Sequence, residues 1–227
     1  MKFAKKIIFL VRDNDGFGPA IALSLIPNPN SDLTKSESKF ELSLTNYGIT
    51  DQKASGDLIN FVDSQGEPQV SILLLPNYEP PIAACAVREV LSSILSDNLS
   101  GQPTIVLPFV MKSLKFNQDI EIEARTDFAQ AMLSEVTKTS SPVQLNCEPS
   151  ACLLHMVRVL RLPTVLLIAS DGQSQNKRAI EYELEALCKI GQFLAGHLCL
   201  SFSKEGLQHK EAEKSTRAQE PWRALYL

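Results

Sequence analysis

Val70 to Leu75 is a nearly unbroken apolar run, and Thr104 to Val110 is another. Between them, Pro80-Pro81 opens a segment in which Ile82, Ala86, Val90 and Ile94 recur every four residues, with Val87 and Leu91 widening the stripe. A period of two or a continuous run marks a strand, and a period near four marks one face of a helix. Strand, helix and strand in that order form a βαβ unit. Its strands should be parallel neighbours, joined by a right-handed crossover. Runs apolar throughout belong at the centre of a sheet covered on both faces. Proline is tolerated where this helix begins, since the first N–H groups have no intrahelical acceptor. Pro108, late in the second run, points to an edge position or a bulge.

The same alternation extends along the chain. Lys6 to Val11 reads as a buried strand, followed by a loop at Asp13–Pro19. Residues 27–38, rich in Pro, Asn and Ser, read as a surface loop. Phe40, Leu42 and Leu44 alternate with polar residues as a half-buried strand ending near Tyr47-Gly48. Residues 50–58 are a polar excursion leading to a short strand at Leu58–Val62. Further on, Phe128, Met132 and Val136 mark a helix. Pro149 opens another, with Ala151, Leu154 and Val157 or Val159 inward, broken at Leu162-Pro163. Val165 to Ala169 is a strand, and Asp171-Gly172 a turn. The longest helix runs from about Asn176 to Leu194 on Ile180, Leu184, Leu187 and Ile190, with Gly196 placed as a C-cap. Residues 5–196 thus form a three-layer α/β/α sandwich with a mostly parallel sheet. The domain division is 1–200 for this body and 201–227 for a polar tail.

With 227 residues, 44% hydrophobic, the chain can bury one large core. A net charge of −4 gives a nucleic-acid partner no electrostatic support. No stretch approaches the roughly 18–20 apolar residues of a membrane span, so a soluble intracellular protein is expected. Five cysteines without metal-ligand spacing read as reduced thiols, with Cys85, Cys152 and Cys188 in buried helical faces.

A search for chemistry gives little. His155 reads as partly buried and structural, His197 as a group near a helix C-terminus, and His209 as solvated. Asp15-Gly16-Phe17-Gly18-Pro19 lacks the Walker pattern and the third glycine of the dinucleotide fingerprint, so a turn with positive φ accounts for it better than a phosphate cradle. Glu181, Glu183 and Glu185 fall on different faces of a helix. Glu121 and Glu123 have strand spacing but no evident acid–base partner. The expectation is a chain that is not an enzyme, with no cofactor and no metal site. An enzyme of nucleosidase or hydrolase type, using Asp13–Gly18 and Asp171 at strand ends, is the alternative.

Residues 203–220 are mostly charged and polar, too poor in apolar area to offset their ordering entropy. A flexible tether of about 20 residues has an r.m.s. reach of about 25 Å. After it come Pro221-Trp222-Arg223-Ala224 and the terminal Leu225-Tyr226-Leu227. A free α-carboxylate is a fixed anion for a lysine or a nest of N–H groups. Tyrosine adds apolar area with one hydroxyl, and the aliphatic residue before it fills a slot alongside. A hydrophobic residue, a tyrosine and the terminal residue make up the hydrophobic-Tyr-X motif with which several partners dock onto proteasomes.

The helix Ala151–Leu160, the following Arg161-Leu162-Pro163-Thr164-Val165-Leu166-Leu167-Ile168, a long helix, a polar stretch and this ending together resemble the proteasome assembly chaperone 1 family. The resemblance implies a nucleoside-phosphorylase-like α/β/α fold without that activity. It also implies a heterodimer with an assembly chaperone 2-like subunit and binding to proteasome α subunits during α-ring formation. Leu225, Tyr226 and Leu227 would enter a pocket between α subunits. The location implied is cytoplasmic or nuclear. The chain lacks the long acidic N-terminal extension of animal members. A regulator of mature proteasomes using the same tail is a further alternative.

Overall fold

Strand β5 (Pro68–Leu75) is buried from Val70 onward because it is covered on both faces and paired on both edges. The computed structural model describes residues 1–13, 16–97, 101–111, 120–124, 137–138, 148–170, 179–205 and 207. Beside β5 lie β1 (Lys6–Val11) and β4 (Lys53–Val62). The sheet continues through β3 (Thr34–Ser43) on one side and β6 (Thr104–Met111), β9 (Thr164–Ser170), β7 (Ile120–Ala124) and β8 (Thr137–Lys138) on the other. The spatial order is β3-β4-β5-β1-β6-β9-β7-β8. The four central strands β5, β1, β6 and β9 are mutually parallel. β5 and β6 are not the neighbours expected of them, because β1 lies between them and pairs with both. Antiparallel β4 and β3 extend one flank, and β7 joins β9 antiparallel on the other.

Alternation along these strands divides the core in two. Ile8, Leu10, Ile72, Leu74, Val106, Val165 and Leu167 face one layer. There they meet Ala20, Ile21 and Ala22 of α1 (Phe17–Ser24), and Leu187, Ile190 and Leu194 of a long C-terminal helix (Ala179–Leu198). Ile7, Phe9, Leu73, Leu75, Ile105, Leu107, Leu166 and Ile168 face the other layer. That layer is built by α2 (Ile82–Asp97) and α3 (Glu148–Val159); the long helix is α4. The molecule is therefore the expected α/β/α sandwich. Among the described residues no helix is long and apolar enough to cross a membrane.

The α2 stripe packs as its spacing predicts, with Ala83, Ala86, Val87, Val90, Leu91 and Ile94 all buried. On α3 the choice between two valines is resolved. Val157 is 1% exposed and Val159 is 62% exposed. Leu153 shares the inner face, since α3 leans on α2 over a wider stripe than the spacing suggested. Val157→Ala should cost about 2 kcal/mol in denaturant unfolding, whereas Val159→Ser should stay within about 0.5 kcal/mol.

Several boundaries differ from the sequence reading. Thr34 to Ser38 are strand rather than loop; at a sheet edge exposed on both sides, polar residues are no obstacle to pairing. Strand β4 begins at Lys53, inside the expected polar excursion. Helix α1 begins at Phe17, within the expected loop. Pro108 lies in a central strand, not at an edge. Its nitrogen faces β1, because Thr104 donates its N–H to Lys5 on that side, and pairing with β1 ends at Val106. The proline therefore removes a donor that has no acceptor to meet. Gly196 is within α4, and Cys199, at φ 56°, takes the left-handed position instead. Strand β10 (Leu200–Phe202) pairs with β2 (Leu25–Pro27) across the expected boundary at residue 200, and Leu207 joins the core. Cys85, Cys152 and Cys188 are not disulfide-bonded and are half-buried rather than buried, because each lies at the margin of its helix's inner face. The expected helix at Phe128–Val136 and the turn at Asp171-Gly172 lie outside the described residues, as does Cys147.

Candidate functional site

The loop leaving β1 was the strongest strand-end candidate, and its hydrogen bonds explain its sequence. The backbone N–H of Phe17 donates to Asp13 Oδ1 at 2.8 Å, and that of Gly18 donates to Oδ2 at 3.2 Å. Asp13 thus occupies donors at the N-terminus of α1 that a phosphate would need. Gly16 supplies the turn with φ 71°. Gly18 has a separate role: a Cβ there would lie 2.1 Å from the Val11 carbonyl oxygen. The glycines serve a turn and a close helix–strand contact. Asn14, Asp15 and Asp171 lie outside the described residues.

Beside this loop, a groove of about 410 Å³ runs between α1 and the outer strands β3 and β4. Ile59 and Leu74 contribute apolar surface, Pro19 and Leu23 of α1 form one wall, and Glu37 and Lys39 of β3 form the other. Short α1 covers β1 and β5 and leaves the flanking strands uncovered. Arg12, following β1, pairs with Asp57 of β4 inside this groove. Glu37 is paired within its own strand, with Lys35 Nζ at 2.7 Å from its Oε1. Ser38, between Glu37 and Lys39 on β3, donates weakly to Leu58 O at 3.4 Å. The groove offers paired charges over an apolar floor, an arrangement suited to contacting a polypeptide surface. Sequence reasoning missed it because residues 34–38 were read as loop. The regular Lys-x-Glu-x-Lys-x-Glu spacing from Lys35 was the signal that could have revealed it.

The other candidate residues are dispersed. His155 is exposed on α3 rather than partly buried, because it lies on the face opposite Leu153 and Val157. His197 lies in the last turn of α4 with its ring 4.4 Å from that of Phe193. Glu185 pairs with Lys189 one turn along α4 at 3.0 Å. Glu121 and Glu123 are on a strand, as their spacing implied. Tyr47 donates to Glu89 Oε2 at 3.1 Å on the opposite layer, and burial first, then this carboxylate, raises its pKa. Among the described residues no group of three or more His, Cys, Asp or Glu is placed to hold a metal ion.

Leu225, Tyr226 and Leu227 lie outside the described residues, as does His209. The last described residues are fixed to the body. Leu200, Ser201 and Phe202 pair with Pro27, Ile26 and Leu25. Ser203 N–H donates to Ser24 O at 2.8 Å, and Leu207 is 5% exposed. The ring of Phe202 fills the space above Gly191, where a Cβ would come within 2.0 Å of it. The described chain therefore ends beside α1.

The family model described as Domain of unknown function (DUF7894) matches residues 1–227. Comparison with the curated proteins returns no match. Solved structures share the fold at low identity. A protein of unknown function from Thermoplasma acidophilum superposes with TM-score 0.61 at 8% identity, over 99% of this chain and 89% of that one. Pyrococcus furiosus PbaA, an archaeal homolog of proteasome-assembly chaperone, gives TM-score 0.55 at 15% identity over 94% and 90%. Pyrococcus furiosus PbaB, an archaeal proteasome activator, gives 0.52 at 12% over 96% and 94%.

Proposed function

We propose that this chain, which belongs to the DUF7894 family over residues 1–227, is a proteasome assembly chaperone of the chaperone 1 type and not an enzyme. One conjunction carries the reading: an α/β/α body with the fold of an archaeal proteasome-assembly chaperone homolog, on a chain ending Leu225-Tyr226-Leu227. The body pairs with a second α/β chaperone subunit and holds proteasome α subunits while the ring forms, in the cytoplasm or nucleus. The tail enters a pocket between adjacent α subunits. There the Leu227 carboxylate meets a cation, the Tyr226 ring lies in the pocket, and Leu225 fills the slot beside it. A charge-assisted contact is worth only about 1.5–3 kcal/mol. A second tail on the partner, joined through the bodies, would raise avidity by roughly 10²–10⁴.

A second reading, a regulator of assembled proteasomes, is favoured by the likeness to an archaeal proteasome activator. Affinity purification of the full-length chain, followed by mass spectrometry and gradient sedimentation, separates the two. Recovery of α subunits with a second α/β chaperone in half-assembled fractions is the expected result. Recovery with complete particles alone would favour the regulator. Recovery of no proteasome subunit would overturn both and return attention to the groove beside α1.

A further inference from the structure

β3 is an edge strand of ten residues, paired with β4 along its whole length and with no other strand among the described residues. An edge of that length presents a row of unpaired backbone donors and acceptors, and such a row is ordinarily guarded. The guard here has a pattern. Lys35, Glu37, Lys39 and Glu41 alternate along one face, that of Ile59 and Phe61 opposite them on β4. The other face carries Thr34, Ser36, Ser38, Phe40 and Leu42, with Phe40 buried over Gly56. Glu41 is held by Lys53 at 2.7 Å and Glu37 by Lys35 at 2.7 Å. Lys39 is exposed and makes no ion pair among the described residues.

From this pattern we propose that β3 pairs antiparallel with β3 of a second copy, about a two-fold axis through Ser38 normal to the sheet. That register sets Lys35 opposite the partner's Glu41 and Glu37 opposite the partner's Lys39, and the symmetry repeats both contacts. All four charges meet opposite sign. On the other face Thr34 lies opposite Leu42 and Ser36 opposite Phe40, a small residue against a large one each time. The ladder spans nearly the entire strand. Sliding the partner by one pairing step places Glu37 against Glu37 or Lys39 against Lys39, and like charges directly opposite are destabilising. Larger slips lose part of the ladder. An edge protected by charges of one sign would repel at every register, whereas this alternation permits one full-length register and penalises its neighbours. The backbone ladder supplies the attraction and the charges choose the register. The contact uses an edge alone, leaving both helical layers for other partners, so it stands whether or not the chaperone reading does.

Reversing the charges tests this without removing the ladder. Glu37→Lys with Glu41→Lys makes all four positions cationic, and Lys35→Glu with Lys39→Glu makes them all anionic. Full-length wild-type chain should sediment as a concentration-dependent dimer. Each variant alone should dimerise at least about tenfold more weakly. An equimolar mixture of the two variants should recover the dimer, containing one of each. Glu37 and Glu41 side chains are each 62% exposed, so a thermal melt near that of wild type should accompany the loss. A wild-type monomer at every concentration, or variants that dimerise as wild type does, would overturn the proposal. Variants that separate but fail to recover on mixing would also overturn it, since the stated register requires recovery.

Discussion

A chain ending at Ala224 should bind isolated proteasome α subunits at least about a hundredfold more weakly than the full-length chain, with an unchanged melting temperature. Truncation takes away the carboxylate contact, about 1.5–3 kcal/mol, together with burial of the tyrosine and leucine side chains, about 1.5–3 kcal/mol each when complete. Even partial realisation of that sum exceeds the roughly 2.7 kcal/mol that corresponds to a hundredfold change. Tyr226→Ala removes the ring and leaves the carboxylate, so it should account for much of the loss. Tyr226→Phe keeps the area and loses one hydroxyl, so it should cost about tenfold or less. Titration of labelled chains with α subunits gives all three values. Equal affinities for the full-length and truncated chains would confine any proteasome contact to the body.

Gly18→Ala should destabilise the fold by about 3 kcal/mol or more, although it adds one methyl group. The Cβ would sit 2.1 Å from the Val11 carbonyl oxygen and 3.2 Å from a Leu74 methyl. That oxygen has little room to retreat, because Val11 is registered against Leu75 and Arg12 N–H donates to Leu75 O at 2.7 Å. Relief requires lifting α1 from β1, which loosens Ala20, Ile21 and Ala22 in the core. For a domain of this size the melting temperature should fall by roughly 6–12 °C. Gly196→Ala provides the opposite sign. It lies exposed within α4, nothing stands within 4 Å of an added Cβ, and alanine is the better helix former. A rise of roughly 1–4 °C is expected there. A melt of Gly18→Ala within a degree of wild type would show that α1 is not held at this contact.

The parts legible from sequence were those where periodicity and burial coincide. Val70–Leu75 is apolar at nearly every position because both faces are covered, and α2 repeats every four residues because one face is. β3 was illegible in its first half for the converse reason: an edge strand open on both sides has no need of apolar alternation, so Thr34–Ser38 resembled a loop. Cys199 displaced Gly196 as the left-handed residue because α4 continues to Leu198, where β10 must turn back toward β2. The role of Gly18 was hidden because close approach to Val11 arises only in three dimensions, while the positive φ of Gly16 was readable as a turn signal. The groove depends on an Arg12–Asp57 contact between residues 45 positions apart, beyond the reach of any local pattern.

The attachment of β10 to β2 also determines how this molecule would respond to force. A partner gripping the last residues would pull on the chain at Leu207 and then at Phe202, before α4 feels any tension. Phe202 is wedged against Gly191 and aligned with Leu25, and Ser203 is tied to Ser24 at the end of α1. A tug would thus be shared between the first helix and the last and passed into the core they bury together. A load that reaches Leu207 would therefore move the first and last helices as one unit.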